Sequence, residues 1–280
     1  MSGTILKAGV IGWPIDHSLS PHLHRFWLKS YNINGTYEPF AVNLENLKEF
    51  FHGLADQGLR GVNVTIPHKE TTLAIVDHAD EQARKIGAVN TVVVQEDGTL
   101  HGSNTDGFGF LENLHDQQTQ WQASDGPAVV LGAGGAARAI LVALQSAGAP
   151  VIRLFNQTKS RAEDLAAELG GTIQVDIWEN RAEVLADAAT LVNATSLGMQ
   201  GQPVLEIDLG KLPNTALVTD IVYTPLETDL LKNAKACGNP TVDGLGMLLQ
   251  QARPGFAAWY GVEPEVTDDL RNYVVSRMVS

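Results

Sequence analysis

The chain of 280 residues contains a single cysteine, Cys237. One thiol forms no intramolecular disulfide and builds no multi-cysteine zinc site, and it suits a reducing compartment. Positive charge is also scarce, with 19 Lys and Arg against 32 Asp and Glu and a formal net charge of −13. Nucleic acid calls for a basic face, and an anionic membrane surface attracts basic segments, so neither is an expected partner. An anionic ligand would have to be drawn by a few local cations against the global field. No run of about 18 apolar residues occurs, which excludes a membrane-spanning helix. The opening MSGTILKAGVIG lacks the apolar length and flanks of a secretory signal. Together these absences predict a cytosolic protein. Solenoid repeats and low-complexity tracts are missing as well.

What is present is the composition of a globular protein, 44% hydrophobic and 18% charged. Short apolar runs alternate with helical patterns, the signature of an α/β architecture with parallel strands. Ile5–Ile11 reads as a strand, and Ser20-Pro21 as an N-cap and first helical residue opening a helix to about Tyr31. Asn43 is expected to cap a second helix ending at Gly58, with strands at Gly61–Pro67 and Val89–Gln95 and a turn at Asp97-Gly98. A helical pattern resumes at Asp106. The polar, aperiodic QQTQWQASDG at 117–126 reads as a linker. Beyond it a second βαβ series runs through strands at Ala128–Leu131, Val151–Phe155, Leu191–Asn193 and Leu217–Ile221.

Within this series AVVLGAGGAARA places Gly132, Gly134 and Gly135 directly after an apolar strand and at the mouth of a helix. The first glycine permits a tight turn, the second lets backbone approach a pyrophosphate, and Ala137 stands where a small residue lets helix and strand pack closely. Freed N–H groups and the helix dipole favour phosphate there. About 20 residues on, an NAD site usually carries an acid for the ribose 2′-hydroxyl. This chain has Asn156, Gln157, Thr158, Lys159 and Arg161 instead. Two cations and a hydroxyl suit a 2′-phosphate, so NADP is favoured over NAD.

Several dehydrogenase classes are excluded. No Tyr has a Lys four residues later, and one Cys cannot build a zinc alcohol dehydrogenase site. His22 and His24, two apart on a helix, point away from each other, and His17, His68 and His101 read as structural. No metal site is expected. Four segments, HSLSP, NVTIPHK, GAVNT and NTDG, instead gather polar groups at strand ends, where open α/β sheets place ligands. Their hydroxyls, amides, one ammonium and one carboxylate would suit a small polyhydroxylated acid. Taken alone, Lys69 reads as a surface lysine and Asp106 as a helix N-cap.

In combination, HSLSP, NVTIPHK, GAVNT, NTDG, GAGGAARA, NQTKSRA, NATSLGM and VDGLGMLLQQA, in that order, resemble the shikimate dehydrogenase family over nearly the whole chain. The resemblance implies two domains: an N-terminal α/β substrate domain of residues 1–105 plus 244–280, and a Rossmann-type NADP-binding domain of residues 106–243. It implies NADPH-dependent reduction of 3-dehydroshikimate to shikimate, with Lys69 and Asp106 as the catalytic pair. Ser18 and Ser20 would bind the substrate carboxylate, and Thr65, Asn90 and Gln251 its ring hydroxyls, with Asn63 and Tyr223 nearby. Gly132, Ala133, Gly134, Gly135 and Ala136 would cradle the pyrophosphate, and Asn156, Gln157, Thr158, Lys159 and Arg161 the adenosine phosphate. Glu81, Ile221 and Gly244 would line the nicotinamide region. One position departs from the family, which often has Arg where this chain has Gln157. An ammonium at Lys159 lacks the planar guanidinium fork, so NADP preference is expected to be softer, and a quinate-oxidising or NAD-using paralogue is the alternative. Monomer and homodimer both remain open.

Overall fold

The computed structural model describes residues 5–278, so the first four residues of the N-terminal stretch read above lie outside them. The chain divides into two compact units, Met1–Thr105 with Gln251–Ser280, and Asp106–Gln250. In the first unit, β1 (Leu6–Gly12) is buried from Ala8 onward, as a strand covered on both faces should be. Next come α1 (Ser20–Ser30), β2 (Gly35–Ala41), α2 (Leu47–His52), β3 (Leu59–Val64), α3 (Lys69–Leu73), β4 (His78–Ala79), α4 (Glu81–Ile86), β5 (Thr91–Val94) and β6 (Leu100–Ser103).

Two helix starts differ from the sequence reading. Leu19, not Ser20, is the cap of α1. Ser18 Oγ accepts the Ser20 N–H at 3.3 Å, while the Ser20 hydroxyl hydrogen bonds with Tyr37. Helix α2 is short. Asn43 Oδ1 accepts the Asn46 N–H at 3.0 Å ahead of the helix. The chain leaves α2 at Gly53 and turns back at Gly58, where φ is 69°.

The first sheet has the order β2-β1-β3-β5-β6-β4 and is mixed. β1 runs parallel to β2 and β3, whereas β5 is antiparallel to both β3 and β6. Ile11, Phe51, Leu54, Val62, Val89 and Val92 fill one core. Antiparallel β5 has a consequence for the polar segments. The carboxyl ends of β1, β3 and β6 and the amino end of β5 meet at one edge, through the pairs Val10↔Asn63, Asn63↔Thr91 and Thr91↔Ser103.

The second unit begins with α5 (Asp106–Gln117) and continues through β7 (Ala128–Leu131), α6 (Gly135–Ser146), β8 (Ile152–Phe155), α7 (Lys159–Leu169), β9 (Ile173–Asp176), β10 (Thr190–Asn193), β11 (Leu217–Asp220), α8 (Asp229–Ala236) and β12 (Thr241–Val242). Its sheet, β12-β11-β10-β7-β8-β9, is parallel throughout. Alternation along β7 sends Ala128 and Val130 into one core and Val129 and Leu131 into the other. Strand order reverses between β7 and β10, the switch point at which open α/β sheets bind ligands. Residues 117–126, read as a linker, lie inside this unit. Trp121 is buried there and its indole N–H donates to Thr190 Oγ1 at 2.9 Å; polar neighbours hide that single anchor from any periodicity.

The chain ends with α9 (Leu245–Tyr260) and α10 (Asp268–Met278), and the division between units falls within α9. In the first unit Trp27, Tyr37, Phe256 and Trp259 form an aromatic cluster around buried His24. The Trp259 indole donates to Val92 O at 3.1 Å across Gly61, where an added Cβ would lie 2.2 Å from Nε1.

Candidate active site

In the first unit the polar edge is built from side chains that hold one another. Asn63 is buried at the carboxyl end of β3. Its Oδ1 accepts the Tyr37 hydroxyl at 2.6 Å, and its Nδ2 donates to Asn90 O at 3.3 Å and Thr91 Oγ1 at 3.2 Å. Both amide hydrogens are thus used, and what Asn63 offers a ligand is acceptor capacity. Asn90 Oδ1 accepts the Thr105 N–H at 2.9 Å, and Asn90 Nδ2 donates to Thr105 Oγ1 at 3.1 Å. Thr105 Oγ1 then donates to Gln251 O at 2.8 Å. So Asn63, Asn90 and Gln251 are joined in one network. Thr105 and Tyr37, which sequence reasoning did not single out as site residues, are links in it.

Around this network stand the other candidates. Ser18 and Ser20 follow β1, and Thr65 accepts the His68 N–H through its carbonyl at 3.0 Å, shaping the turn into α3. Lys69 is the first residue of α3 and half-buried, its carbonyl accepting the Val89 N–H at 2.9 Å one residue before Asn90. Glu81 is exposed on the first turn of α4, which Asp80 caps through Ala83 N–H at 2.6 Å. His24 lies stacked on Tyr37, ring centroids 3.8 Å apart. Burial holds its imidazole neutral, with the pKa down at about 3, the Asn63 side chain acting in the opposite direction.

The second unit carries the glycine-rich turn. Gly132 has φ of 110°, a conformation that side chains rarely adopt, and a Cβ there would meet Ala194 O at 2.8 Å. At Gly134 and Gly135 a Cβ would meet nothing within 4 Å. The outer face of the turn, with Ala133 and Ala136, is therefore open at the N-terminus of α6, where N–H groups and helix dipole favour a phosphate. Asn156 Oδ1 accepts the Ala133 N–H at 3.1 Å and its Nδ2 donates to Thr158 O at 2.8 Å, tying the end of β8 to the turn. Gln157, Thr158, Lys159 and Arg161 are exposed beside it. Lys159 pairs with Glu163 at 3.1 Å, an exposed pair worth little and easily rearranged. These residues fit a 2′-phosphorylated dinucleotide.

Asp106 is buried as the first residue of α5, where Gly107 lets that helix pack against Ala139 and Ala143 of α6. Ile221 and half-buried Tyr223 follow β11, and burial pushes the Tyr223 hydroxyl up in pKa. Gly244 has no room for a Cβ, which would lie 2.2 Å from Ile221 O. At the end of β11 the Asp220 carboxyl is fully buried and its pKa pushed up to about 6 by desolvation, against hydrogen bonds from Val222 N–H, Thr228 and Asn193. Sequence reading passed over this acid because a lone Asp at a strand end looks like any turn residue. Among the described residues no group of three or more His, Cys, Asp or Glu could hold a metal, and no helix is long and apolar enough to cross a membrane.

Residues 10–92 match the model of the shikimate dehydrogenase substrate binding domain, and residues 113–208 that of shikimate / quinate 5-dehydrogenase. A curated protein named shikimate dehydrogenase (NADP(+)), from Paramagnetospirillum magneticum, is 56% identical over 99% of this chain and 100% of its own length. The chain belongs to the shikimate dehydrogenase family. Among solved structures of the family, shikimate 5-dehydrogenase from Thermus thermophilus, in complex with NADP(H) and shikimate, is 38% identical with a TM-score of 0.85, covering 97% of this chain and 99% of that one. Quinate dehydrogenase from Corynebacterium glutamicum, in complex with NAD, is 31% identical with a TM-score of 0.90, covering 97% and 99%. The fold class expected from the sequence, α/β with a Rossmann-type sheet, is the one these relatives share.

Proposed function

We propose that the chain catalyses the reversible NADPH-dependent reduction of 3-dehydroshikimate to shikimate, a step of aromatic amino acid (chorismate) biosynthesis, in the cytosol. The observation that carries this reading is the 56% identity over 99% of the chain to a protein named for that activity. It is supported by hydroxyl and amide groups gathered at one edge of the first sheet and an open glycine turn in the second. In this reading the first unit, including Gln251 of α9, takes the substrate, and the second unit takes the dinucleotide.

When bound, NADP(H) supplies or accepts the hydride. Ser18 and Ser20 bind the substrate carboxylate as neutral donors, the Ser20 hydroxyl exchanging its bond to Tyr37 for the ligand, and local cations supply the attraction that a net charge of −13 opposes. Thr65, Asn90 and Gln251 orient ring hydroxyls, and the bonds from Thr105 hold the Asn90 side chain and the Gln251 backbone before substrate arrives, which reduces the ordering cost. As the carbonyl carbon is reduced its oxygen gains negative charge. The Lys69 ammonium stabilises that oxygen and delivers a proton to it, with Asp106 as the second member of the proposed catalytic pair.

Exposed Gln157 in place of the family's frequent arginine, and the likeness to an NAD-bound quinate dehydrogenase, make quinate and NAD the second reading. Initial rates with shikimate and with quinate, each with NADP+ and NAD+, separate the readings. Shikimate with NADP+ should give the highest kcat/KM. A preference for quinate or NAD+ selects the alternative, and inactivity with every pair overturns both.

A further inference from the structure

The fully buried Asp220 carboxylate, at the last position of β11, gathers three donors from three segments. Val222 N–H lies at 2.9 Å and Asn193 Nδ2 at 3.0 Å from Oδ1, and Thr228 Oγ1 at 2.8 Å from Oδ2. Val222 belongs to the stretch leading to Tyr223, Asn193 ends β10, and Thr228 caps α8. Asn193 extends the network: its Oδ1 accepts Thr195 N–H at 3.1 Å and Thr195 Oγ1 at 2.7 Å, and its Nδ2 donates to Leu197 O at 3.0 Å. Ile221 N–H donates to Asn193 O at 3.0 Å, and Ala194 N–H to Leu131 O at 2.8 Å beside the glycine turn. The groups that act on Asp220 are Val222, Thr228 and Asn193, and none of them is charged. A buried carboxylate outside an ion pair carries a desolvation cost that an amide would avoid.

Topology says what lies over these strand ends. The glycine turn closes β7, and Asn156–Arg161 follow β8 on one side of it, while β10 and β11 stand on the other side. A dinucleotide bound across this edge with its adenosine over β8 extends its other end over Asn193 and Asp220.

We propose that Asp220 is a positioning residue, whose carboxylate holds the 194–197 loop and the Ile221–Tyr223 stretch in the arrangement that receives the nicotinamide ring. The proposal rests on the dinucleotide reading above. Two acceptor oxygens are needed because Thr228 Oγ1 accepts Leu231 N–H at 3.4 Å and gives its own proton to Asp220. An amide in that place keeps the Oδ1 bonds but presents N–H to Thr228, whose hydroxyl proton loses its acceptor.

The test uses the full chain, Asp220→Ala and Asp220→Asn. Its readouts are kcat for shikimate oxidation with NADP+, and the Kd of adenosine 2′,5′-bisphosphate, which lacks the nicotinamide half. Asp220→Ala should lower kcat by about ten-fold or more while the bisphosphate Kd stays within about two-fold, and Asp220→Asn should recover part of the loss. If Asp220→Ala does not fold, a lowered kcat with unchanged bisphosphate Kd in Asp220→Asn supports the proposal. An unchanged kcat, or kcat and bisphosphate binding failing together in both variants, overturns it. A wild-type chain that binds the bisphosphate but does not oxidise shikimate removes the functional reading and this proposal with it. When the wild-type chain does both, a loss in the variants is attributable to Asp220 alone.

Discussion

Lys69 combines half-burial, a helix start and a backbone bond to Val89 that seats it one residue from Asn90. Replacing it with Ala should lower kcat by on the order of 10²-fold or more, the range for a lost general acid; steady-state rates within a few-fold of wild type would remove it from the chemistry. Ser18 behaves differently. Its hydroxyl oxygen takes the Ser20 N–H and adds a donor for a carboxylate, an interaction present in ground and transition states alike. Ser18→Ala should therefore raise KM for shikimate with little change in kcat, measured from initial rates over a range of shikimate concentrations. Both residues were legible only as parts of motifs, since a single lysine or serine carries no geometric information. Asp220 and Tyr37 were not legible at all, because what distinguishes them is burial and partners brought from distant strands.

At the level of elements, the glycine turn separates two demands that the motif merges. Gly132 is needed by the fold itself, with its positive φ and the Ala194 carbonyl against it, whereas the space beside Gly134 is open. Gly132→Ala should destabilise by about 1–3 kcal/mol through strain, read from urea unfolding. Gly134→Ala should change stability by about 0.5 kcal/mol at most yet raise KM for NADP+, because the methyl occupies the face that a pyrophosphate would approach. Periodicity and punctuation located most strands, since short apolar runs such as AVVL, bounded by glycine turns and too short for a helix, fit a covered sheet. They erred where local and tertiary forces compete. Ser20 looked like a cap, but its hydroxyl is drawn to Tyr37. GAVNT opens the strand expected from Val89, and only the antiparallel pairing of β5 with β3 brings it to the edge where β1, β3 and β6 end.

For the whole molecule, two buried titratable groups tie stability to pH with opposite signs. His24 has a folded pKa of about 3, below its usual 6.5, so the unfolded chain binds the proton first. Its contribution is complete above pH 6.5 and is lost as pH falls, at about 1.4 kcal/mol per unit. Asp220 is raised to about 6 from 3.8, so the folded chain binds the proton first. Its contribution is complete below about pH 4 and is lost as pH rises to 6, on the order of 3 kcal/mol. Thermal melts at steps from pH 4 to pH 7 check both. His24→Phe should lessen the loss on acidification, and Asp220→Asn should gain on wild type as pH rises from 4 to 6.5; parallel curves would contradict both assignments.

The sequence by itself determined the α/β class and the dinucleotide turn, because strand burial and glycine conformations are properties of neighbouring residues. The ordered run of motifs also determined the family. Only the tertiary structure decided which polar groups share an edge, that Trp121 anchors the stretch 117–126 inside the second unit, and that Asp220 and His24 are buried. Those facts depend on strand direction and on contacts between residues far apart in the chain, for which a one-dimensional pattern has no term.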